Sequence, residues 1–179
     1  HNYEAHEKVF RLLVGSWREN WNDPDLPFYY VQLSSIDRPS WPWFRDSQRR
    51  LMDAIPHTGM AVSSDYGDSL DVHPKNKRPI GERLAHWALN RTYDKKQVVP
   101  SGPLFRSVDF REDAAYVSFD YADGLHTADG RPIREFEIAE TEGVYYPAKA
   151  EVVGNQVKVY SNRVKHPCHV RYAWRPFTR

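Results

Sequence analysis

Leu26-Pro27-Phe28-Tyr29-Tyr30-Val31-Gln32-Leu33 is the stretch on which the reading of the fold turns. It is short, rich in aromatic residues, and bounded by Pro24 on one side and Ser34-Ser35 on the other. A strand of an antiparallel sheet with one wet face alternates polar and apolar residues. A nearly unbroken apolar run suits a strand covered on both faces, as in a parallel sheet. The flanks agree. Phe10, Leu13, Trp17 and Trp21 recur at steps of three and four, with Val9 and Leu12 widening the stripe, which predicts a helix over residues 1–21. Asn22-Asp23-Pro24-Asp25 ends it. Ser40 is a suitable N-cap for a helix from Trp41 to Met52, with Phe44, Gln48, Leu51 and Met52 on one face. Gly59 to Ser64 predicts a second short strand. Pro79 fits the first turn of a third helix with Ile80, Leu84, Trp87 and Ala88 inward. Residues 1–95 thus read helix-strand-helix-strand-helix.

Two strands are too few for such a sheet, because parallel sheets bury both faces and usually hold several strands. Further strands are expected from a segment preceding these residues or from a second chain. The opening on His1 rather than Met suggests a trimmed or processed chain. Past Tyr93 the composition changes. Pro100-Ser101-Gly102-Pro103 reads as a linker, and the apolar period becomes two: Val117, Phe119 and Tyr121; Phe136 and Ile138; Val157 and Val159; Val170, Tyr172 and Trp174. Gly154-Asn155 is a two-residue hairpin signal. Residues 103–175 are expected to form an antiparallel β unit, a small sandwich, so the domains are placed at 1–99 and 100–179.

Bulk chemistry excludes some partners. Lys+Arg is 25 and Asp+Glu is 24, a net charge of +1, which gives no electrostatic footprint for nucleic acid or an anionic membrane. No apolar run approaches the ~20 residues of a membrane span. One cysteine, Cys168, allows no internal disulfide.

The chemistry-bearing segment is Asp71-Val72-His73-Pro74-Lys75-Asn76-Lys77, between the second strand and the third helix, where open α/β sheets place their sites. An imidazole is the side chain best suited to take a proton near neutral pH. Asp71 is placed to accept the Nδ1 proton of His73, since residues two apart in an extended stretch point the same way. The plain alternative is a surface histidine in an acidic loop. Asp65, Asp68 and Asp71 recur every third residue and carry oxygen ligands, but without the glycine and distal glutamate of an EF-type calcium loop. Ser34, Ser35, Ser63 and Ser64 lie at strand ends, yet none sits in a Gly-x-Ser-x-Gly elbow. Cys168, flanked by His166 and His169, is expected to be a buried, inert thiol. Arg45 and Gln48 either reach a substrate carboxylate and a sugar hydroxyl, or pair with acids and cap a neighbouring loop.

These segments resemble the C-terminal half of the sialate O-acetylesterases, a branch of the SGNH hydrolases with related acetylxylan-type esterases. The likeness runs from Ser16-Trp17-Arg18-Glu19-Asn20-Trp21 through Leu26–Leu33, Arg45-Asp46-Ser47-Gln48, Thr58-Gly59-Met60-Ala61-Val62 and Asp71–Lys77. It continues to Gly81-Glu82-Arg83-Leu84 and Val170-Arg171-Tyr172-Ala173-Trp174. The Asp-x-His-Pro-x-x-Lys and Gly-x-Arg-Leu pair is its most specific part. It implies the C-terminal part of a three-layer α/β/α SGNH-hydrolase fold with a parallel sheet, followed by a small antiparallel β-sandwich unit. It also implies His73 as catalytic base, Asp71 as its carboxylate, and a nucleophilic serine in a missing N-terminal segment. The substrate would be an O-acetylated sialic acid or other acetylated sugar, with no cofactor or metal. The location would be periplasmic or secreted, or lysosomal in an animal. The wider pattern has Asp three residues before His, where this chain has Leu70, so Asp71, Asp68 or a backbone carbonyl is left to orient His73. A non-catalytic carbohydrate-binding or scaffolding module is the other reading.

Overall fold

The computed structural model describes residues 2–178 and is a mixed α/β structure of two compact units. One unit runs to Ser101 and takes back the segment from Arg175 onward; the other is Gly102–Trp174. No helix among the described residues is long and apolar enough to cross a membrane.

In the first unit, α1 (Tyr3–Asn20), β1 (Phe28–Val31), α2 (Trp41–Ala54), β2 (Thr58–Ala61) and α3 (Arg78–Trp87) follow the predicted order. β1 and β2 pair in parallel, with Phe28 opposite Thr58 and Val31 opposite Ala61. The pleat sends successive β1 residues to different helices. Phe28 packs on Val14 of α1, Leu51 of α2 and Ile55. The Tyr30 ring meets Phe10 edge-on at 4.9 Å, and its hydroxyl donates to the Gln48 carbonyl at 2.7 Å. Burial pushes the Tyr30 phenol well above its ordinary range. Tyr29, between them, shares a 2.6 Å hydrogen bond with Thr92 beyond α3. Its partner across the ladder, Gly59, lies against Trp87 of α3: a Cβ at Gly59 would stand 2.5 Å from the indole. Trp87 cannot easily yield, being buried, with Nε1 donating to the Met60 carbonyl at 3.0 Å.

Two expectations are corrected here. No residue of β1 is fully buried and Val31 is 39% exposed; among the described residues β1 has a single strand neighbour. The apolar stripe of α1 also faces differently. Val14 is its buried residue, with Phe10 packed beside it, whereas Val9, Leu12, Leu13, Trp17 and Trp21 are exposed. The wide stripe leaves the helix's rotation open. Phe10 and Val14 settle it by fitting against Leu51, Ile55 and Phe28. Arg18 then ties the helix end down, donating to the carbonyls of Leu26 (3.1 Å) and Pro56 (2.7 Å).

The second unit holds β3 (Leu104–Arg111), β4 (Ala114–Asp120), β5 (Phe136–Ala139), β6 (Tyr146–Pro147), β7 (Lys149–Val153), β8 (Gln156–Tyr160) and β9 (His169–Tyr172). Its two antiparallel sheets have the orders β3-β4-β8-β7 and β6-β5-β9. Of the alternating residues read from the sequence, Val117, Val157 and Val159 from the larger sheet and Phe136 and Ile138 from the smaller share one core, which Ala115 joins. Gly154, at φ +61°, turns the β7–β8 hairpin.

Candidate functional site

The loop from β2 to α3 is held by its own carboxylates and by a buried shelf after β1. It begins with a 3-10 turn, Ser64–Tyr66. Arg83 of α3 grips that turn as a fork, donating to Asp65 Oδ1 (2.7 Å) and Oδ2 (2.6 Å) and to the Val62 carbonyl (2.7 Å). The hydrogen bond to Asp65 holds the Arg83 guanidinium above its ordinary pKa. Gly67 then passes so close to Ser35 that a Cβ would lie 2.5 Å from the Ser35 carbonyl oxygen and 2.6 Å from its nitrogen. Farther along, the Ser69 carbonyl accepts from the Asp37 N–H at 3.1 Å, and Ser34 Oγ donates to the Val72 carbonyl at 2.5 Å.

At the loop's far end, Asp71 Oδ1 accepts two hydrogen bonds from His73, one from the backbone N–H and one at Nδ1, both 2.9 Å. The backbone bond first, and the imidazole second, hold the Asp71 carboxyl below its ordinary range. An ionised carboxylate only accepts, so Nδ1 carries the proton, and in a neutral imidazole so held the lone pair is on Nε2. The His73 side chain is 79% exposed and that of Asp71 53%. This is an oriented imidazole that faces outward.

The other sequence candidates do not join the pair. Asp65 is bound to Arg83, and Asp68 accepts from the Leu70 N–H at 2.9 Å. Leu70 is itself 90% exposed. Ser34, Ser35 and Ser63 are buried, with their hydroxyls donated to the carbonyls of Val72, Thr178 and Gln32. Such hydroxyls stabilise backbone and are not placed to attack a substrate. Gln48 Oε1 accepts from the Leu33 N–H at 2.8 Å, the loop-capping alternative. Arg45 is buried, which lowers its pKa, and donates to Ser35 Oγ (3.3 Å) and to the Arg175 carbonyl. Cys168 is exposed, not buried as expected. Its N–H pairs with the Ala139 carbonyl at the start of β9, which leaves the thiol at the surface. Sequence reasoning weighs Ser34 only as a nucleophile and misses its bond to Val72. Two small hydroxyl residues directly after a buried-type strand are the signal for such a backbone clamp.

A hollow of about 280 Å³, lined by Trp17, Trp21, Leu26, Pro27, Phe28 and Tyr29, contains neither His73 nor Asp71.

No family model matches the chain. Curated relatives are sialate O-acetylesterases. That of Rattus norvegicus is 22% identical over 97% of this chain and 37% of its own length, and that of Homo sapiens 24% over 97% and 38%. Among solved structures, a carbohydrate acetylesterase from Xanthomonas citri is 34% identical with a TM-score of 0.87, covering 98% of this chain and 41% of that one. The chain therefore spans well under half the length of the relatives it matches. The likeness first carried by Asp71–Lys77 and Gly81–Leu84 extends over nearly all its residues.

Proposed function

We propose, from a chain similar over nearly its whole length to the sialate O-acetylesterases, that it is the C-terminal part of a carbohydrate O-acetylesterase carrying the base half of the catalytic machinery. The observation that carries this reading is the Asp71–His73 hydrogen bond, which leaves Nε2 free and outward. The nucleophilic serine belongs to a preceding segment. That segment also adds strands beside β1 and β2 and completes a three-layer α/β/α fold. Residues 1–99 belong to that hydrolase domain and 100–179 to a β-sandwich appendage, except that the segment from Arg175 onward groups with the first unit. The protein acts in a periplasmic or secreted setting, or a lysosomal one in an animal.

In this mechanism the serine hydroxyl attacks the acetyl carbonyl and its proton passes to His73 Nε2. Asp71 stabilises the resulting imidazolium through Nδ1–H. Collapse of the tetrahedral intermediate breaks the ester C–O bond, and His73 returns the proton to the departing sugar hydroxyl. Water then attacks the acetyl-serine, again giving its proton to His73, and acetate and the free serine are released. The longer gene product is expected to liberate acetate from O-acetylated sialic acid or another O-acetylated sugar, and the 179-residue chain at equal concentration only background. An enzymatic acetate assay decides. No release by the longer product from any such sugar contradicts the reading, and binding of the same sugars without release favours the carbohydrate-binding alternative.

A further inference from the structure

We infer that Ser34 is a positioning residue for His73, acting through the peptide that joins Val72 to His73. The inference rests on the reading of His73 as the base. That one peptide unit is held at both ends. Its oxygen, the Val72 carbonyl, accepts from Ser34 Oγ at 2.5 Å; its N–H, that of His73, donates to Asp71 Oδ1 at 2.9 Å. A peptide plane gripped at both poles cannot rotate, and its orientation fixes where the next Cα projects its side chain. Asp71 and His73 are too exposed to be held by packing, whereas Ser34 is 3% exposed. Ser34 is anchored in turn: its carbonyl accepts from Trp41 Nε1 at 2.7 Å, at the first residue of α2. The rigid end of a helix is thus connected through Trp41, Ser34 and Val72 to the imidazole. Asp71 chooses the tautomer; Ser34 holds the turn in which that choice is made.

The test pairs Ser34→Ala with Ser34→Thr, which keeps a hydroxyl, and reads the His73 imidazole by long-range ¹H–¹⁵N correlation in the 179-residue chain. In the wild type Nδ1–H is expected to dominate, since Nδ1 faces the Asp71 carboxylate at 2.9 Å, against the Nε2–H preference of free imidazole. Ser34→Ala is expected to raise the Nε2–H population severalfold, and Ser34→Thr to restore the wild-type pattern. Ser34→Cys, close in volume with a weak donor, replaces threonine if the added methyl group disrupts folding, and is then expected to resemble alanine. In the longer protein, Ser34→Ala is expected to lower kcat about 10–100-fold with KM unchanged, the scale of a misplaced catalytic group. Unchanged tautomers in Ser34→Ala overturn the inference whatever happens to turnover. So does a loss of thermal stability with the imidazole signals unmoved, since that marks a merely structural serine. The imidazole measurement does not depend on esterase activity, so failure of the catalytic reading is detected separately, by His73→Ala retaining turnover.

Discussion

Replacing His73 by alanine is expected to reduce acetate release by the longer protein by about 10³–10⁴-fold while leaving the fold intact. The two halves of this expectation come from different observations. The loss follows from the proton inventory: the attacking hydroxyl has no acceptor once the imidazole is gone, and Asp71, already engaged with the His73 backbone N–H at 2.9 Å, is two residues away on the same turn. The intact fold follows from exposure. The side chain is 79% exposed and its hydrogen bond is to Asp71, so truncation empties no core; substitutions at such positions usually change stability by less than about 0.5 kcal/mol. Steady-state kinetics and a thermal melt on the same preparation check both. Turnover within tenfold of wild type removes His73 from the mechanism.

Gly67→Ala is expected to damage stability and turnover together. Gly67 has an ordinary φ of −71°, so the demand for glycine is one of space and not of backbone conformation. The added carbon meets the Ser35 backbone at 2.5 and 2.6 Å, and backbone cannot step aside as a flexible side-chain tip does. Overpacking of this kind costs about 1–3 kcal/mol. Because Ser35 adjoins Ser34 and Gly67 leads into the loop bearing Asp71 and His73, the strain is relieved by moving the site. Turnover is expected to fall about 100-fold. Gly81→Ala is the control. A Cβ at Gly81 would have nothing within 4 Å, and alanine inside α3 is favoured over glycine by about 1 kcal/mol. Chemical denaturation separates the two: Gly67→Ala lowers the midpoint and Gly81→Ala leaves or raises it. Equal behaviour of the two variants contradicts the close approach of Gly67 to Ser35.

Much of this organisation is legible in the residues because it is local. The steps of three and four in α2 and α3, Pro79 in the first turn of α3, and the two-residue period of β4, β5 and β8 need no knowledge of the rest of the molecule. Asp71 and His73 are legible for the same reason: two residues apart, they make their contact within one turn. What escapes depends on long-range packing. The stripe of α1 is visible, but which flank turns inward is decided by Leu51 and Ile55. β3 is missed as a distinct strand because its hairpin to β4 turns at Glu112, at φ +51°, without the glycine that usually marks such turns. The exposure of Cys168 depends on β9 pairing with β5, a contact far away in sequence. Ser34 and Val72, each beyond the end of a strand of the β1–β2 pair, are distant in sequence and meet only in the folded structure.

The apolar residues left uncovered fit the same account. Val9, Leu12, Leu13 and Trp17 on α1, Trp21 just after it and Val31 on β1 are large apolar side chains left exposed, and among the described residues the parallel pair β1–β2 has an open ladder edge on each side. A preceding segment that supplies both strands and a nucleophile explains the uncovered edges and the outward imidazole together. The most direct measurement is a crystal structure of the longer protein with its nucleophile trapped by a phosphonate ester. The account predicts a phosphonylated serine from the preceding segment with Oγ within hydrogen-bond reach, about 2.6–3.2 Å, of His73 Nε2. A trapped serine paired with a different histidine, with His73 facing open solvent, contradicts it.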